Sequence, residues 1–159
     1  MSKLLSDKSV ASFEDGHGVY KREIEKLGHV KLYDAFDDTP YCEEMSHCRV
    51  RFMYLSIPQY GILQHDWIIS LEVAEHIPEK YEAVYLDNIF RHAKEGIILS
   101  WAVPEQGGLS HINTKPIEYV LKVMRENGFQ RDAGKTMKLQ ASASLPWIKS
   151  NINVYIRNK

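Results

Sequence analysis

Two acidic side chains and an imidazole follow directly on a short apolar run near the middle of the chain. Residues 67 to 71 form this run, which is typical of a strand buried on both faces of a parallel sheet. Glu72, Glu75 and His76 come next. Ligands of open α/β sheets bind at the carboxyl ends of the strands, and a histidine beside carboxylates can accept a proton near neutral pH. These three residues are therefore predicted to be catalytic. The alternative is a helix-initiating turn whose histidine caps backbone groups.

A second candidate site lies in a turn early in the chain. Residues 10 to 13 form a short apolar segment, Glu14, Gly16 and Gly18 follow it, and residues 20 to 27 have helix-forming side chains. This order predicts a strand, a glycine turn and a helix. Glycines let the backbone approach a ligand closely, and the helix N-terminus offers unpaired N–H groups. A pair of glycines in a loop is by itself more often an ordinary turn, so the functional interpretation depends on the context.

An acid follows the second predicted strand, which spans Val30 to Asp34. Asp34 lies sixteen residues beyond Gly18. This spacing is typical of a carboxylate at the end of strand two that accepts hydrogen bonds from ribose hydroxyls. The competing interpretation is that Asp34 opens a turn over residues 35 to 40.

Apolar patterns alternate between strand and helix periods along the rest of the chain, and this alternation predicts a doubly wound α/β fold with a mainly parallel sheet and helices on both faces. Residues 137 to 145 fit either a helix or a strand, and Pro146 and Trp147 are predicted to break it. The other predicted elements are strand 49–55, helix 79–93, strand 97–103, a helix capped by Thr114 that ends at Asn127 and Gly128, and strand 152–156.

Composition narrows the class of protein. The 159 residues are 44% hydrophobic and 26% charged, with a net charge of −1, which predicts one domain over residues 1 to 159 and does not favour nucleic acid as a partner. Because no apolar leader or membrane-length run is present, a cytoplasmic protein without a membrane partner is expected. Cys42 and Cys48 are expected to be free thiols, and no metal site is predicted.

The segment Ser70 to Pro78, S-L-E-V-A-E-H-I-P, resembles the fourth-strand segment of class I S-adenosylmethionine-dependent methyltransferases. The glycine pair after the first strand and the acid after the second extend the resemblance over residues 10 to 155. It implies a seven-stranded sheet whose last strand is antiparallel and S-adenosylmethionine as the cofactor. It also implies transfer of a methyl group to a nitrogen or oxygen atom of a small-molecule acceptor.

The resemblance also implies roles for individual residues. The glycine turn would hold the amino acid part of the cofactor and Asp34 its ribose, while His111 and Asn113, in the loop after the fifth strand, would face the acceptor or else belong to a polar surface loop. The residues assigned to the cofactor in this way are Glu14, Gly16, Gly18, Asp34, Leu55, Leu71 and Glu72.

The chain departs from the family pattern, acid-x-Gly-x-Gly-x-Gly, in two places. If Gly16 and Gly18 are its last two glycines, Glu14 replaces the first glycine and Ser12 the acid; if Glu14 is the acid, the last glycine is missing instead. No acid stands near the end of strand three, so contact with adenine would come from stacking or from backbone groups.

These departures leave a second hypothesis open. It is also suggested by the segment before the first strand, which has only nine residues where relatives commonly carry helices over the pocket. The chain would then be an inactive methyltransferase-like fold that acts as a binding or protein-partner module. A nicotinamide-dependent oxidoreductase would require a third glycine where Lys21 stands.

Overall fold

The computed structural model describes residues 1 to 158, apart from the side chain of Ser2. These residues form seven strands and six α-helices, with short 3₁₀ turns at Ser2–Leu5, Ala74–His76 and Glu79–Tyr81. The elements are β1 (Ser9–Phe13), α1 (Val19–Lys26), β2 (Leu32–Asp37), α2 (Cys42–Met45), β3 (Val50–Phe52), β4 (His65–Ser70), α3 (Glu82–His92), β5 (Ala93–Leu99), α4 (Ile117–Glu126), β6 (Phe129–Arg131), α5 (Ala133–Ser142), α6 (Pro146–Asn151) and β7 (Asn153–Arg157).

All seven strands form one sheet in the order β3-β2-β1-β4-β5-β7-β6. Strands β1 to β5 are parallel, and β7 is antiparallel to both β5 and β6. The mainly parallel seven-stranded sheet with an antiparallel last strand is therefore confirmed. Chain order reverses between β1 and β4, and this is the point at which open α/β sheets bind ligands.

Two apolar clusters cover the two faces of the sheet. Helices α3 and α4 pack on one face, for example through Tyr85 and Met124, and α1, α5 and α6 pack on the other. Gly96 in β5 lies against the indole of Trp67 in β4, where an added Cβ atom would come within 2.5 Å of the ring. This coverage of both faces explains the continuous apolar runs in the central strands, such as residues 67 to 69 of β4 and 97 to 99 of β5.

Strand β2 begins and ends later than predicted. It spans Leu32–Asp37, and its register runs from Ser9 opposite Leu32 to Phe13 opposite Phe36. The buried residues Ala35 and Phe36 continue the strand past the acid that was expected to end it. The prediction that Asp34 stands at the end of the strand is therefore wrong, and so is the alternative that it opens a turn.

Other boundaries differ for identifiable reasons. Strand β5 ends at Leu99 and not at residue 103. Trp101 and Ala102 beyond it are buried and therefore apolar, but they do not pair with a neighbouring strand, and the sequence pattern does not distinguish the two cases. Helix α4 begins at Ile117 after Pro116, so Thr114 is not its cap.

The C-terminal third contains elements that the sequence pattern left open or missed. Residues 133 to 142 form a helix, and Asp132 caps it by accepting a hydrogen bond from the Lys135 N–H at 2.8 Å. Pro146 begins helix α6 instead of breaking the chain, since proline suits a first helical turn. The short strand β6 was not predicted.

No helix among residues 1 to 158 is long and apolar enough to cross a membrane. Cys42 and Cys48 are free thiols, as expected.

Candidate functional site

The turn after β1 is held by one main-chain carbonyl group of the neighbouring strand. The N–H groups of Glu14 and Asp15 both donate to the Phe36 oxygen, at 2.8 and 3.1 Å. Glu14, Gly16 and Gly18 have φ values of +67°, +60° and +77°, a region that costs a residue with a side chain about 1 to 2 kcal/mol. Glu14 therefore occupies a backbone position that favours glycine, which supports its placement on the first glycine of the family pattern.

The buried carboxylate of Asp15 accepts hydrogen bonds from free N–H groups at the N-terminus of helix α1. Its oxygens accept hydrogen bonds from the N–H groups of Tyr20 and Lys21, at 3.1 and 3.2 Å, and from the Ser12 hydroxyl at 2.7 Å. Burial raises the pKa of this carboxyl group, and the three hydrogen bonds act in the opposite direction. A carboxylate thus lies beside Ser12, the position at which the family pattern carries an acid.

Three carboxyl groups converge between the ends of β1 and β2. One oxygen from each of Glu14, Asp37 and Asp38 lies within 4.8 Å of the others. Asp37, which is buried and ends β2, accepts a hydrogen bond from the Gly16 N–H at 2.6 Å. Burial, followed by the charges of Asp37 and Asp38, raises the pKa of Glu14 to about 9. Glu14 is accordingly protonated at neutral pH.

Asp34 does not belong to this cluster. It lies three residues before the end of β2, about 10 Å from that end at the usual strand rise. Its carboxylate pairs with His65 Nε2 at 2.8 Å and with the Arg51 guanidinium at 3.4 Å. The assignment of Asp34 to the cofactor ribose is therefore corrected, and Asp37 is the acid at the carboxyl end of the strand.

The two leucines assigned to the cofactor have different surroundings. Leu55 is buried in the core, and its carbonyl oxygen accepts a hydrogen bond from the Asn88 side chain at 3.1 Å, so its side chain is not available to a ligand. Leu71 lines an open cleft of about 270 Å³, together with Tyr20 and Ile148.

Glu72 joins three parts of the chain at the carboxyl end of β4. Its Oε1 accepts hydrogen bonds from the Ser100 hydroxyl at 2.8 Å and from the Asn151 side-chain amide at 3.0 Å. Its N–H group donates to the Ser100 hydroxyl oxygen at 2.7 Å. These bonds direct the Glu72 carboxylate toward the ends of β5 and α6. Glu72 therefore forms no hydrogen bond with His76 among these contacts, although the sequence predicted that the two residues would act together.

Glu75 and His76 lie close to His111, which comes from the loop after β5. A carboxylate oxygen of Glu75 and one ring nitrogen from each histidine lie within 4.8 Å of one another. Glu75 is fully buried, His76 is exposed and His111 is half-buried. Neither Glu75 oxygen has a hydrogen-bond partner among residues 1 to 158. The structure thus brings together two of the three predicted catalytic residues and one of the two predicted acceptor residues.

Asn113 has a structural position instead. It is buried, its side-chain amide donates to Glu82 at 2.9 Å, and its carbonyl oxygen accepts a hydrogen bond from the Trp101 indole at 2.6 Å. The prediction that Asn113 faces an acceptor is wrong, because these bonds hold its polar groups inside the loop.

No family model matches the chain, and no curated protein sequence matches it. Solved structures do match. Magnesium protoporphyrin IX methyltransferase (ChlM) from Synechocystis PCC 6803, solved with bound S-adenosylhomocysteine, shares 17% identity at a TM-score of 0.71, over 97% of this chain and 76% of that one.

Two further structures match over nearly the whole chain. The sugar N-methyltransferase KedS8 from Streptoalloteichus sp. ATCC 53650 has a TM-score of 0.72 and 11% identity, over 99% of this chain and 83% of that one. The methyltransferase domain of bacterial CtHen1-C has a TM-score of 0.68 and 15% identity, over 99% and 93%. The chain has the fold of class I S-adenosylmethionine-dependent methyltransferases.

The raised pKa of Glu14 gives a testable dependence of stability on pH. The unfolded chain releases this proton near pH 4.5, whereas the folded chain keeps it up to about pH 9. The folded state therefore binds more protons between these values, and its free energy of unfolding falls as pH rises, by at most about 1.4 kcal/mol per pH unit from this group. Glu14→Gln should remove that contribution, so that the variant gains stability over the wild type as pH rises from 5 to 8 in urea unfolding.

Glu105→Gln is the matched control, because Glu105 also has a positive φ, +71°, but is exposed. Its stability relative to the wild type should not change with pH. A constant difference in the free energy of unfolding between Glu14→Gln and the wild type over this pH range would contradict a neutral, half-buried Glu14.

Proposed function

We propose that the chain is a single-domain S-adenosylmethionine-dependent methyltransferase that acts on a nitrogen or oxygen atom of a small-molecule acceptor. The observation that carries this proposal is the group of acids around the turn after β1, at the switch point of the sheet. Structures of the same fold have been solved with this cofactor or its product, including ChlM with bound S-adenosylmethionine, at 18% identity.

The charge of this group suits the cofactor. S-adenosylmethionine carries an ammonium and a sulfonium cation against one carboxylate, so its net charge is positive. Asp15, Asp37 and Asp38 surround the glycine turn together with the protonated Glu14. Opposite charges at about 4 Å attract by about 1 to 4 kcal/mol, depending on the effective dielectric constant.

Asp37 is the residue that we assign to the ribose hydroxyls, because it ends β2 beside the turn. Phe52 and Tyr54 are exposed aromatic side chains at the end of β3, with ring centroids 4.8 Å apart. They are proposed to supply the stacking contact to adenine where strand three has no acid.

Methyl transfer breaks the bond between the methyl carbon and sulfur, and the electron pair stays on the sulfur of S-adenosylhomocysteine. The lone pair of the acceptor atom forms the new bond to carbon, and the acceptor then loses its proton. Glu75, His76 and His111 form the group proposed to face the acceptor, with an imidazole nitrogen as the proton acceptor. Glu72 is proposed to position the end of β4 through Ser100 and Asn151.

The acceptor is proposed to be small and partly apolar. The cleft beside Leu71 is lined mainly by apolar side chains such as Leu139 and Ile148, and small-molecule sites are usually mostly apolar. The net charge of −1 does not favour a polyanion.

Calorimetric titration with S-adenosylmethionine and S-adenosylhomocysteine tests the cofactor assignment. Asp37→Asn should weaken binding by about tenfold or more, or about 1.4 kcal/mol, because a charged hydrogen-bond acceptor is lost. Asp34→Asn is the matched control, since it makes the same change in the same strand outside the proposed site. Its affinity should stay within about twofold of the wild type, provided that thermal unfolding shows both variants to be folded. Absence of binding to the wild type at millimolar ligand would contradict the proposal.

The acceptor class is tested by following the formation of S-adenosylhomocysteine with the full chain. Pools of small metabolites with free hydroxyl or amino groups should support turnover, and a mixed RNA pool should not. Turnover on RNA alone would contradict a small-molecule acceptor.

The second hypothesis, an inactive partner module, is favoured by one observation, the non-glycine residue with a positive φ at Glu14. Glu14→Gly relieves that backbone strain, so the variant should fold at least as well as the wild type. In an enzyme adapted to Glu14, this substitution should reduce affinity for S-adenosylmethionine or leave it nearly unchanged. A gain of about tenfold, or about 1.4 kcal/mol, would instead identify Glu14 as a disabling residue and support the partner module.

A further inference from the structure

The most unusual polar group in the molecule is the carboxylate of Glu75. The side chain has no exposed area, and both of its oxygens lack a hydrogen-bond partner in the part of the chain that the structure describes. A buried ionised carboxylate without a partner is costly, and buried charges in proteins are normally paired or coordinate a metal ion. No lysine or arginine is bonded to Glu75 within residues 1 to 158, and one ring nitrogen from each of His76 and His111 lies within 4.8 Å of one of its oxygens.

We propose that Glu75, His76 and His111 form a binding site for a divalent transition-metal ion of the Zn²⁺ type. One carboxylate and two imidazoles are a donor set that zinc uses in sites with three protein ligands and an open fourth position. The three donor atoms already lie within 4.8 Å of one another. Tetrahedral bonds of about 2.0 to 2.1 Å bring donor atoms to about 3.4 Å apart, so side-chain rotations alone could close the site.

The second ring nitrogen of each histidine has the partner that a ligating histidine requires. His76 Nδ1 lies 3.1 Å from the Ser110 carbonyl oxygen, and His111 Nδ1 lies 3.3 Å from the Gln106 carbonyl oxygen. A carbonyl oxygen can only accept, so each Nδ1 carries the proton and each Nε2 keeps its lone pair. Hydrogen bonds of this kind fix the tautomer and orient the rings of metal-bound histidines.

The backbone around the three residues holds them together without a metal ion. The Glu75 carbonyl oxygen accepts hydrogen bonds from the N–H groups of Ile112 and Asn113, at 2.9 and 3.0 Å, which tie the His111 loop to the end of β4. Gly108 leaves room for the His111 ring, since an added Cβ atom would lie 2.2 Å from it. The exposed His76 leaves the group open to solvent on one side.

The open position of this site would take an oxygen or nitrogen donor of the acceptor, and this part of the inference rests on the proposed function. With its Nε2 bound to the metal, His76 no longer accepts the acceptor's proton. A hydroxyl group bound to a divalent metal ion loses its proton to water more readily than a free one. The acceptor class would then be molecules with a hydroxyl group that can bind a metal ion.

The experiment uses the full chain without cofactor, in buffer freed of metal ions with chelator. Titration with ZnCl₂ should show one tight equivalent, and CoCl₂ should give the visible absorption bands of a tetrahedral Co²⁺ ion with nitrogen and oxygen ligands. Glu75→Gln and His111→Ala should each weaken Zn²⁺ binding by about tenfold or more. His76→Ala changes an exposed side chain and should do the same, which keeps the test decisive if Glu75→Gln alters packing.

Cys48→Ser is the matched control, because Cys48 is an exposed thiol beside His47 and is therefore a competing zinc ligand on the surface. This variant should keep the tight equivalent. Loss of the equivalent in Cys48→Ser, or its survival in Glu75→Gln, His76→Ala and His111→Ala, would overturn the site, as would an absence of tight binding in the wild type.

Affinity for S-adenosylhomocysteine, measured in chelator, separates the two proposals. Metal binding without cofactor binding would contradict the proposed function and leave the metal site intact. Cofactor binding without metal binding would contradict the metal site alone.

Discussion

The carbonyl oxygen of Phe36 determines the arrangement of the candidate cofactor site. Because it accepts the N–H groups of both Glu14 and Asp15, the chain must turn sharply as it leaves β1, and Glu14 adopts a left-handed conformation. The turn directs the Glu14 side chain toward Asp37 and Asp38 and places the Asp15 carboxylate on the N-terminus of α1. The acids of the site are therefore a consequence of strand pairing.

Much of the fold could be predicted from the sequence, because central parallel strands are apolar on both faces and the helices carry one apolar stripe. The errors arose where an acidic residue inside a strand was interpreted as the end of that strand. Ala35 and Phe36 continue β2 beyond an acid that looked like its end, so Asp34 was predicted to end the strand where Asp37 does. The partners of Asp34, His65 and Arg51, are distant in the sequence, so no local pattern could have indicated them.

The candidate acceptor site was only partly predictable, for a related reason. Glu75 and His76 are adjacent and follow a buried strand, a local signal that identified them. His111 was found because it follows the next central strand, but its contact with Glu75 depends on two backbone hydrogen bonds between segments far apart in the sequence. The sequence predicted no metal site, because zinc patterns are recognised from closely spaced ligands, and the whole of α3 and β5 lies between His76 and His111.

Both candidate sites share one electrostatic property. At the turn after β1, three carboxyl groups converge, and burial, together with the charges of Asp37 and Asp38, raises the pKa of Glu14 to about 9, so that it is protonated at neutral pH. At the end of β4, the Glu75 carboxylate is buried, and neither of its oxygens has a hydrogen-bond partner among residues 1 to 158. Groups in such positions raise the free energy of the unliganded protein, and a bound cation removes that cost, so part of the binding free energy is provided by the fold itself. A sulfonium cofactor would do this at the first site and a divalent metal ion at the second. Glu72 also follows β4, but it is only half-buried and its Oε1 accepts hydrogen bonds from Ser100 and Asn151, so it has no comparable need for a cation. Glu72 and Glu75 are three residues apart in one turn, but only Glu72 accepts hydrogen bonds from side chains. A bound cation would therefore be stabilised most strongly beside Glu75, where an acceptor would be held.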